Sequence, residues 1–206
     1  MNNVMWNDRA ITPSKVVCVG RNYAKHVAEL NNTLTGDMVI FMKSNASIGS
    51  TLYSVHREEP LHYEGEICFL VEGGQCVAVG FGLDLTKRQL QSALKSKQLP
   101  WERAKSFTGA AVLGDFVTLD TNIDNSALSV ELLINGERVQ KGSVADMLFK
   151  PSTILKDIKE CIDLEDGDIL MTGTPEGVGQ ITAGATYTGR ILVGERVLVE
   201  STWLAH

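Results

Sequence analysis

Short apolar runs separated by glycine-containing turns recur along the chain, and they favour a β-rich fold. An Asn135-Gly136 pair between apolar residues predicts a β-hairpin, because a type I′ turn needs positive φ at both central positions. The runs are rich in Val, Ile, Leu and Phe, and they predict strands over residues 15–19, 38–42, 66–71, 76–83, 130–134, 168–171 and 190–200. Strands and helices do not alternate regularly, so we expect one β-rich α+β domain rather than a doubly wound fold.

Three helices are predicted between these strands. Residues 23–30 have helical spacing of apolar side chains, with Ala24, Val27, Ala28 and Leu30 on one stripe. Thr86 followed by Gln89 is a capping-box pattern, and the helix after it ends before Pro100. A third helix is expected to begin at Ser152, whose hydroxyl can cap it. Its buried face would be Ile154, Leu155, Ile158 and Ile162.

Charge and composition exclude several function classes. With 19 Lys+Arg against 25 Asp+Glu, the net charge is −6 and no basic cluster is present. Nucleic acids and anionic membranes are therefore not expected as partners. The longest unbroken apolar runs are about five residues, far below the ~20 that a membrane span needs. The four cysteines form no CxxC pair, so we expect free thiols and a cytoplasmic protein.

Carboxylates cluster around two of the predicted strands. In a strand, Glu64 and Glu66 point to one face, with His62 beside them. Two neighbouring carboxylates repel unless a cation lies between them, and oxygen ligands suit Mg²⁺ or Mn²⁺. For this pair alone, an exposed strand face with two solvated glutamates is the more common explanation. Asp84 follows the 76–83 strand, where a single carboxylate is more often a helix-capping group than a ligand.

Further polar residues stand in patterns that fit a binding site. Arg88, Gln91 and Lys95 lie at i, i+3 and i+7 of the second helix, and spacing alone favours a solvated polar face. Lys105 sits among small and apolar residues, where a lysine either extends to solvent or serves an anionic ligand. The glycine-rich turn at 172–179 can present amides to a carboxylate, but it lacks the P-loop lysine.

His26 and Glu29 are three residues apart on the first predicted helix. At this spacing the carboxylate can accept a hydrogen bond from one imidazole nitrogen, which orients the ring. The other nitrogen then remains available as a base. A surface hydrogen bond is the more common explanation for such a pair.

Seven segments, taken in order, resemble the fumarylacetoacetate hydrolase family, and most closely its short single-domain branch of acylpyruvate hydrolases and oxaloacetate decarboxylases. They are GRNYAKHVAEL, VIFMKSNASI, HYEGEICFLV, GLDLTKRQLQ, LPWERAKSFTGAAVLGDFV, LLINGERVQKGSVADMLF and LEDGDILMTGTPEGVG. The resemblance implies a mixed β-sheet roll or barrel with a few peripheral helices. It also implies a lead-in over residues 1–14 and a single catalytic domain over residues 15–206.

The same resemblance implies a set of site residues. Glu64, Glu66 and Asp84 would be the ligands of one divalent metal, Mg²⁺ or Mn²⁺. His26 and Glu29 would form a water-activating dyad on a lid. The residues implied to bind substrate or stabilise an oxyanion are Lys105, Arg88, Gln91 and Thr174. His62 matches no ligand of the family and is expected near the ligands without binding the metal.

The implied activity is metal-dependent hydrolysis of a C–C bond in an acylpyruvate-type 1,3-diketo acid. His26, oriented by Glu29, would take a proton from the attacking water, and Lys105 and Gln91 would stabilise the oxyanion. Oxaloacetate decarboxylation, or enol–keto or 2-oxo-dienoate isomerisation, on the same site remains an alternative. A catalytically silent scaffold or binding protein is a third. The expected partner is a small 2-oxo or 1,3-diketo acid, and the family implies a homodimer.

Two departures from close relatives could reshape the pocket or the subunit contacts. A tight turn at Glu72-Gly73-Gly74 replaces a longer segment, and Ser44 follows Lys43 where proline is common. The chain also lacks the N-terminal extension of fumarylacetoacetate hydrolase proper. Fumarylacetoacetate is therefore not the first expected substrate.

Overall fold

Two β-sheets form most of the protein, in a computed structural model that describes residues 1–29, 36–120 and 123–206. The strands are β1 (Val4–Trp6), β2 (Arg9–Ile11), β3 (Lys15–Gly20), β4 (Val39–Ser44), β5 (Ile48–Gly49), β6 (Val55–His56), β7 (Glu59–Pro60), β8 (His62–Tyr63), β9 (Gly65–Glu72), β10 (Gln75–Asp84), β11 (Ala111–Thr118), β12 (Leu128–Ile134), β13 (Glu137–Ser143), β14 (Ile169–Met171), β15 (Gly179–Gln180), β16 (Thr186–Val193) and β17 (Arg196–Leu204). The helices are α1 (Ala24–Glu29), α2 (Arg88–Ser96), α3 (Glu102–Lys105) and α4 (Pro151–Ile158). Short 3₁₀ turns lie at Asn45–Ser47, Asn125–Ala127 and Val144–Asp146. The β-rich α+β class is confirmed.

The larger sheet is mixed and curls back on itself. In the described part of the chain it has nine strands, ordered β2-β1-β11-β10-β9-β14-β3-β4, with β5 also paired to β11. The chain passes from edge strand β4 through one 3₁₀ turn into β5, which pairs in parallel with β11. That connection brings the far edge back towards the middle of the sheet. The second sheet has the order β13-β12-β16-β17. The curled mixed sheet expected from the family resemblance is confirmed.

Strand β9 is buried on both of its faces, which explains its unbroken apolar run. Ile67, Phe69 and Val71 belong to the main core beneath the second sheet. Cys68 and Leu70 belong to a smaller core on the other face of the large sheet. Because side chains alternate along a strand, Glu66 points to the same side as Cys68 and Leu70. The Glu66 side chain therefore lies on the same face of β9 as the smaller core.

Local turn chemistry matches the sequence at two hairpins and corrects it at a third. Asn135 and Gly136 have φ of 50° and 84°, the positive pair that a type I′ turn requires. Gly73 and Gly74 form the tight turn between β9 and β10, with φ of 57° and 69°. The single strand predicted over 190–200 is wrong, because the chain turns at Gly194, with φ of 59°, and splits it into β16 and β17.

Two of the predicted helix caps are wrong. Helix α2 begins at Arg88, and the buried Thr86 hydroxyl bonds to the Asp84 carbonyl instead of capping the helix. Helix α4 begins with Pro151, one residue before the predicted Ser152 cap. Proline suits the first helical turn, because its missing N–H would have had no partner there. Ile162 lies beyond the end of α4, although it still packs on the main core.

Helix α1 is shorter than predicted and buries a different face. It begins at Ala24, because Tyr23 forms a β-bridge with Met147. His26 and Val27 are its buried residues, whereas Ala24 and Ala28 are exposed. Leu30, the last residue of the predicted helix, lies outside the described residues. The helix therefore presents its histidine, not its alanines, to the protein.

The N-terminal hairpin of β1 and β2 extends the large sheet through β11. The division of the chain into residues 1–14 and 15–206 stays a prediction. All four cysteines are free thiols, as expected. None of the helices in the described ranges combines the length and apolar character needed to cross a bilayer.

A buried carboxylate joins the starts of β3 and β14. Asp168 is fully buried and lies 2.6 Å from the Lys15 ammonium. It also accepts hydrogen bonds from the Ser14 hydroxyl at 2.8 Å and from the backbone amide of Glu165 at 2.9 Å. Burial alone would raise the pKa of this carboxyl, but the Lys15 ammonium and these donors lower it below its usual value. The carboxylate therefore stabilises the fold above its folded-state pKa.

Replacing this carboxylate should cost stability in a pH-dependent way. We expect Asp168→Asn to lower the free energy of unfolding by about 3 kcal/mol at neutral pH, because it breaks a buried ion pair. The difference should shrink as the pH falls through the lowered pKa, where the wild-type carboxyl becomes protonated. Urea denaturation from pH 3 to 8 measures it, with exposed Asp163→Asn as the control. A difference that does not vary with pH would contradict this role.

Candidate metal and substrate site

Three carboxylates lie close together where β9 begins and β10 ends. In the antiparallel register, Glu66 lies opposite Gly82, and the Asp84 amide donates to the Glu64 carbonyl at 2.9 Å. Residues opposite each other share a face, so all three side chains point to one side. Their ligand atoms lie within 4.8 Å of one another, and all three residues are buried. The first two were predicted from alternation, whereas Asp84 joins them through the pairing of the strands.

Lys105 and Arg88 neutralise part of this negative charge. The Lys105 ammonium donates to Glu64 Oε2 at 2.8 Å, to Asp84 Oδ2 at 2.7 Å and to the Thr86 hydroxyl at 2.7 Å. Arg88 donates to the other oxygen of Glu64. Burial disfavours charge on Glu64, but the two cations outweigh it and hold the pKa of this carboxyl well below its usual range. Glu64 is therefore ionised.

Glu66 is in the opposite situation. Its Oε2 accepts a hydrogen bond from the Gly173 amide at 2.8 Å. Burial, followed by the charges of Asp84 and Glu64, raises the pKa of Glu66 well above its usual value. Positive charge beside Glu66 would favour its ionised form.

The donor set fits a divalent cation. Asp84 Oδ1 is buried and accepts no hydrogen bond, although the Lys43 ammonium lies 2.8 Å away. The Lys43 ammonium compensates part of the charge of this oxygen, and because the oxygen accepts no hydrogen bond, its lone pairs can still bind a metal cation. Three buried carboxylates within reach of one ion are the hard oxygen ligands that Mg²⁺ and Mn²⁺ prefer. The residues implied as metal ligands therefore have suitable chemistry and spacing.

Lys43 contacts the acidic cluster, and the sequence reasoning missed it. It is fully buried on β4, where it pairs with Asp84 and donates to the Lys105 carbonyl. The sequence analysis mentioned Lys43 only because Ser44 follows it where relatives commonly have proline. A lysine that directly follows the apolar stretch 38–42 could have indicated a buried partner, since lysine is almost never fully buried unpaired.

The His26–Glu29 pair forms on α1 as its spacing predicted. His26 Nδ1 lies 3.2 Å from Glu29 Oε2, and the other oxygen of Glu29 accepts from the Gly177 amide at 3.0 Å. The histidine side chain is only 8% exposed. It lines the same pocket as the three carboxylates. Glu29 thus ties both the imidazole and the glycine-rich turn to one position.

Helix α2 turns its polar face into the pocket, so the expectation of a solvated face is wrong. Arg88 and Lys95 line the pocket, and Gln91 is buried beside them. Arg88 donates to Gln91 Oε1 at 2.8 Å as well as to Glu64. The Lys87 amide, just before the helix, donates to the Ala104 carbonyl at 3.1 Å, and α2 packs against α3.

Thr174 and Lys105 also line the pocket, but their polar groups are already engaged. The Thr174 hydroxyl donates to the Gly65 carbonyl at 3.0 Å and accepts from Gln140 Nε2 at 2.9 Å. Gln140 Oε1 in turn accepts from the Gly65 amide at 2.9 Å. Gln140 was missed by the sequence reasoning, because its partners lie far away along the chain. It fixes the backbone between Glu64 and Glu66.

His62 lies at the edge of this region. Its backbone bridges to Thr86, and its side chain is partly exposed. Burial, together with the Arg88 charge, lowers the pKa of His62. The Glu64 charge partly opposes this shift, but within the described residues the ring forms no hydrogen bond with any of the three carboxylates.

The curled mixed sheet and the buried acidic pocket define a β-roll protein with a site of the kind that divalent cations occupy. The sequence matches the family described as Fumarylacetoacetate (FAA) hydrolase C-terminal over residues 15–204, and the chain belongs to that family. The resemblance noted from the sequence is thus confirmed. Members of the family are enzymes.

Named relatives cover most of the chain. The mitochondrial oxaloacetate tautomerase FAHD1 of Homo sapiens is 37% identical over 181 residues, which is 81% of each protein. The oxaloacetate tautomerase YcgM of Escherichia coli (strain K12) is 32% identical over 190 residues, covering 85% of this chain and 87% of that protein.

Solved structures share the fold. A protein of Oleispira antarctica, provisionally named a fumarylacetoacetate isomerase/hydrolase, is 33% identical, with a TM-score of 0.94 and 100% of both chains covered. The fumarylpyruvate hydrolase of Pseudomonas aeruginosa, solved in complex with Mn²⁺ and pyruvate, is 24% identical, with a TM-score of 0.88. It covers 99% of this chain and 95% of its own. At that identity the likeness concerns the fold alone.

Removing the buried charge of Lys43 should strongly destabilise the metal-free protein. We expect Lys43→Met, which roughly keeps the volume, to cost about 3–5 kcal/mol, because Asp84 loses a buried counter-charge. Chemical denaturation with excess chelator measures the change. Lys25→Met is the matched control, since the Lys25 side chain is 83% exposed, and it should change stability by less than about 0.5 kcal/mol. Equal stability of the two variants would remove Lys43 from this role.

Proposed function

We propose that the protein catalyses enol–keto tautomerisation of oxaloacetate or a closely related 2-oxo dicarboxylate, with the help of a divalent metal ion. The observation that carries this proposal is a single pocket lined by both the three carboxylates and His26. Tautomerisation moves one proton between C3 and the oxygen on C2, so it needs a proton-transferring group beside a source of positive charge. The names of the curated relatives support the same substrate.

Glu64, Glu66 and Asp84 would hold the metal. A bound divalent cation would supply the positive charge that stabilises an enolate oxygen. Mg²⁺ and Mn²⁺ both suit this oxygen set, and the choice between them is left to experiment.

His26 is the proposed proton carrier. Its Nδ1 faces Glu29, which leaves Nε2 as the nitrogen that can exchange a proton with the substrate. An imidazole is a common acid–base group in enzymes, because it can both take up and return a proton. Because the ring is almost completely buried, bulk water has little access to its exchanging nitrogen. The dyad thus transfers the proton within a protected pocket.

Arg88 and Gln91 are the proposed carboxylate-binding groups. Arg88 is fixed by Glu64 and by Gln91 Oε1, so its planar fork is held before any ligand arrives. The Gln91 amide nitrogen can donate to the same ligand. Lys105 acts on the carboxylates themselves, because its ammonium already has three acceptors. We assign it to holding Glu64 and Asp84 rather than to the substrate.

Hydrolysis of an acylpyruvate is the second candidate. It needs an activated water, and the same His26–Glu29 pair is suited to take its proton. Decarboxylation of oxaloacetate does not require this pair. A homodimer and a cytoplasmic location both remain predictions.

The first test follows the loss of enol absorbance of freshly dissolved oxaloacetate, with pyruvate assayed separately. We expect acceleration with Mg²⁺ or Mn²⁺ that a chelator abolishes. His26→Gln should slow the reaction by roughly 10²-fold or more, the usual contribution of a positioned acid–base group. The exposed neighbour Lys25→Gln should retain the wild-type rate. An unchanged rate in His26→Gln would exclude the proposed proton carrier.

The second test concerns the metal ligands alone. In the absence of metal, Glu66→Gln should be at least as stable as wild type, because it removes a repelled buried carboxylate. Free metal at about 100 times its Kd stabilises a binding protein by about 2.7 kcal/mol. Mg²⁺ should therefore raise the Tm of wild type and of Glu72→Gln, a half-exposed control on the same strand, but not that of Glu66→Gln. Equal shifts in all three proteins would remove Glu66 from the ligand set.

The third test separates the two candidate reactions. Acetylpyruvate is assayed for loss of its enol absorbance and for release of acetate. If tautomerisation is the main activity, acetate release should be at least about 10²-fold slower than the oxaloacetate reaction. Efficient acetate release that depends on metal and on His26 would instead make hydrolysis the main function.

A further inference from the structure

Two cations in the same pocket form no ion pair with a carboxylate in the part of the chain that the structure describes. Arg21, directly after β3, and Lys95, on α2, both line the pocket that holds the three carboxylates. Within the described residues, neither forms an ion pair with Asp or Glu. This sets them apart from Arg88 and Lys105, which form ion pairs with Glu64 and, for Lys105, also with Asp84. Their positive charges are therefore available to a ligand.

Trp101 joins the two cations into one surface. The Lys95 ammonium lies 4.7 Å from the centre of its ring, and the Arg21 guanidinium carbon lies 6.0 Å from it. Both are within the range of cation–π attraction, which offsets part of the repulsion between like charges. Trp101 also contacts Phe41, at 5.9 Å between ring centres. One face of the pocket thus consists of an aromatic ring flanked by two positive groups.

Arg21 is held in an uncommon backbone conformation. Its φ is 59°, in the left-handed region that residues with a Cβ seldom adopt. Its Nε atom is buried and has no hydrogen-bond partner. Strained backbone and an unsatisfied buried donor are both unfavourable, and such features cluster where a side chain meets a ligand.

The electrostatic environment of Lys95 also favours an anion. Burial, followed by repulsion from Arg21 and Arg88, lowers the pKa of Lys95 to about 8. The repulsion is a smaller cause than burial, but it shows that positive groups lie close together on this side of the pocket. A bound carboxylate would relieve it.

We propose that Arg21 and Lys95 form a second carboxylate subsite, which binds the distal carboxylate of the substrate and selects 2-oxo dicarboxylates over 2-oxo monocarboxylates. The inference rests on the proposed function, because it assigns the 2-oxo acid end of the substrate to the region of the acidic triad, Arg88 and Gln91. The carboxylate at the other end then needs separate positive groups. Arg21 and Lys95 are the pocket cations left over for it.

The test measures ligand binding without turnover. L-Malate and (S)-2-hydroxybutyrate have the same chain length and differ in a terminal carboxylate against a methyl group. Their Kd values are measured by calorimetry on Mg²⁺-saturated protein. The variants are Arg21→Gln, Lys95→Met and, as the control, Lys97→Met, which removes an exposed lysine at the end of the same helix. Thermal unfolding of each variant checks that it is folded.

Wild type and Lys97→Met should bind L-malate at least tenfold more tightly than (S)-2-hydroxybutyrate. Arg21→Gln and Lys95→Met should each weaken L-malate binding by roughly tenfold to a hundredfold, as expected for one charge-assisted hydrogen bond. Binding of (S)-2-hydroxybutyrate should stay unchanged. Three outcomes would overturn the subsite: equal binding of the two probes by wild type, no binding of either probe, or a preference for L-malate that survives in both variants. Arg21 and Lys95 would then have only a structural role, packed on Trp101.

Kinetics separates this proposal from the proposed function. Both variants should raise the KM for oxaloacetate by a similar factor with little change in kcat, because they bind the end that does not react. A malate preference that the variants lose, in a protein without oxaloacetate turnover, would support the subsite and reject the tautomerase. Turnover with an unchanged KM in both variants would support the tautomerase and reject the subsite.

Discussion

Repulsion among three buried carboxylates is the constraint on which this structure depends. Glu64, Glu66 and Asp84 are buried, and their ligand atoms lie within 4.8 Å of one another. Two buried lysines, one from β4 and one from α3, reduce this repulsion through ion pairs with Asp84. The curl of the large sheet is what brings those elements to the same place, since β4 and β10 are not neighbours in the strand order. Fold and charge balance are thus mutually dependent.

The second sheet contributes more than cover for the core. Gln140 on β13 accepts a hydrogen bond from the Gly65 amide. It also donates to the Thr174 hydroxyl, which in turn donates to the Gly65 carbonyl. A Cβ atom at Gly65 would lie 2.9 Å from the Gln140 amide oxygen, so glycine allows this close approach without a shift of Gln140. The spacing between the two glutamates is therefore fixed by a residue in a different sheet. Neutral hydrogen bonds set the geometry here, while ion pairs set the charge.

Local features of the sequence predicted the fold better than they predicted the site. Strand alternation indicated that Glu64 and Glu66 share a face, and Asn135-Gly136 indicated its hairpin, because both effects act within a few residues. The Thr86 cap failed because a buried ammonium and a nearby carbonyl hold its hydroxyl. Lys43 was missed because its partners are distant in sequence, and one sequence does not reveal such pairing. The family resemblance supplied what local chemistry could not, namely that these segments converge.

The distances along the chain between contacting residues bear on the order in which the protein can assemble. Lys43 and Lys105 are 62 residues apart, whereas the Glu29–Gly177 contact spans 148 residues. Long loops cost more entropy to close, and contacts of high sequence separation form late in folding. The charge cluster can therefore be gathered by an internal segment of the chain before the dyad is anchored. If the dyad carries out the proposed proton transfer, the reaction would therefore require this long-range contact to have formed.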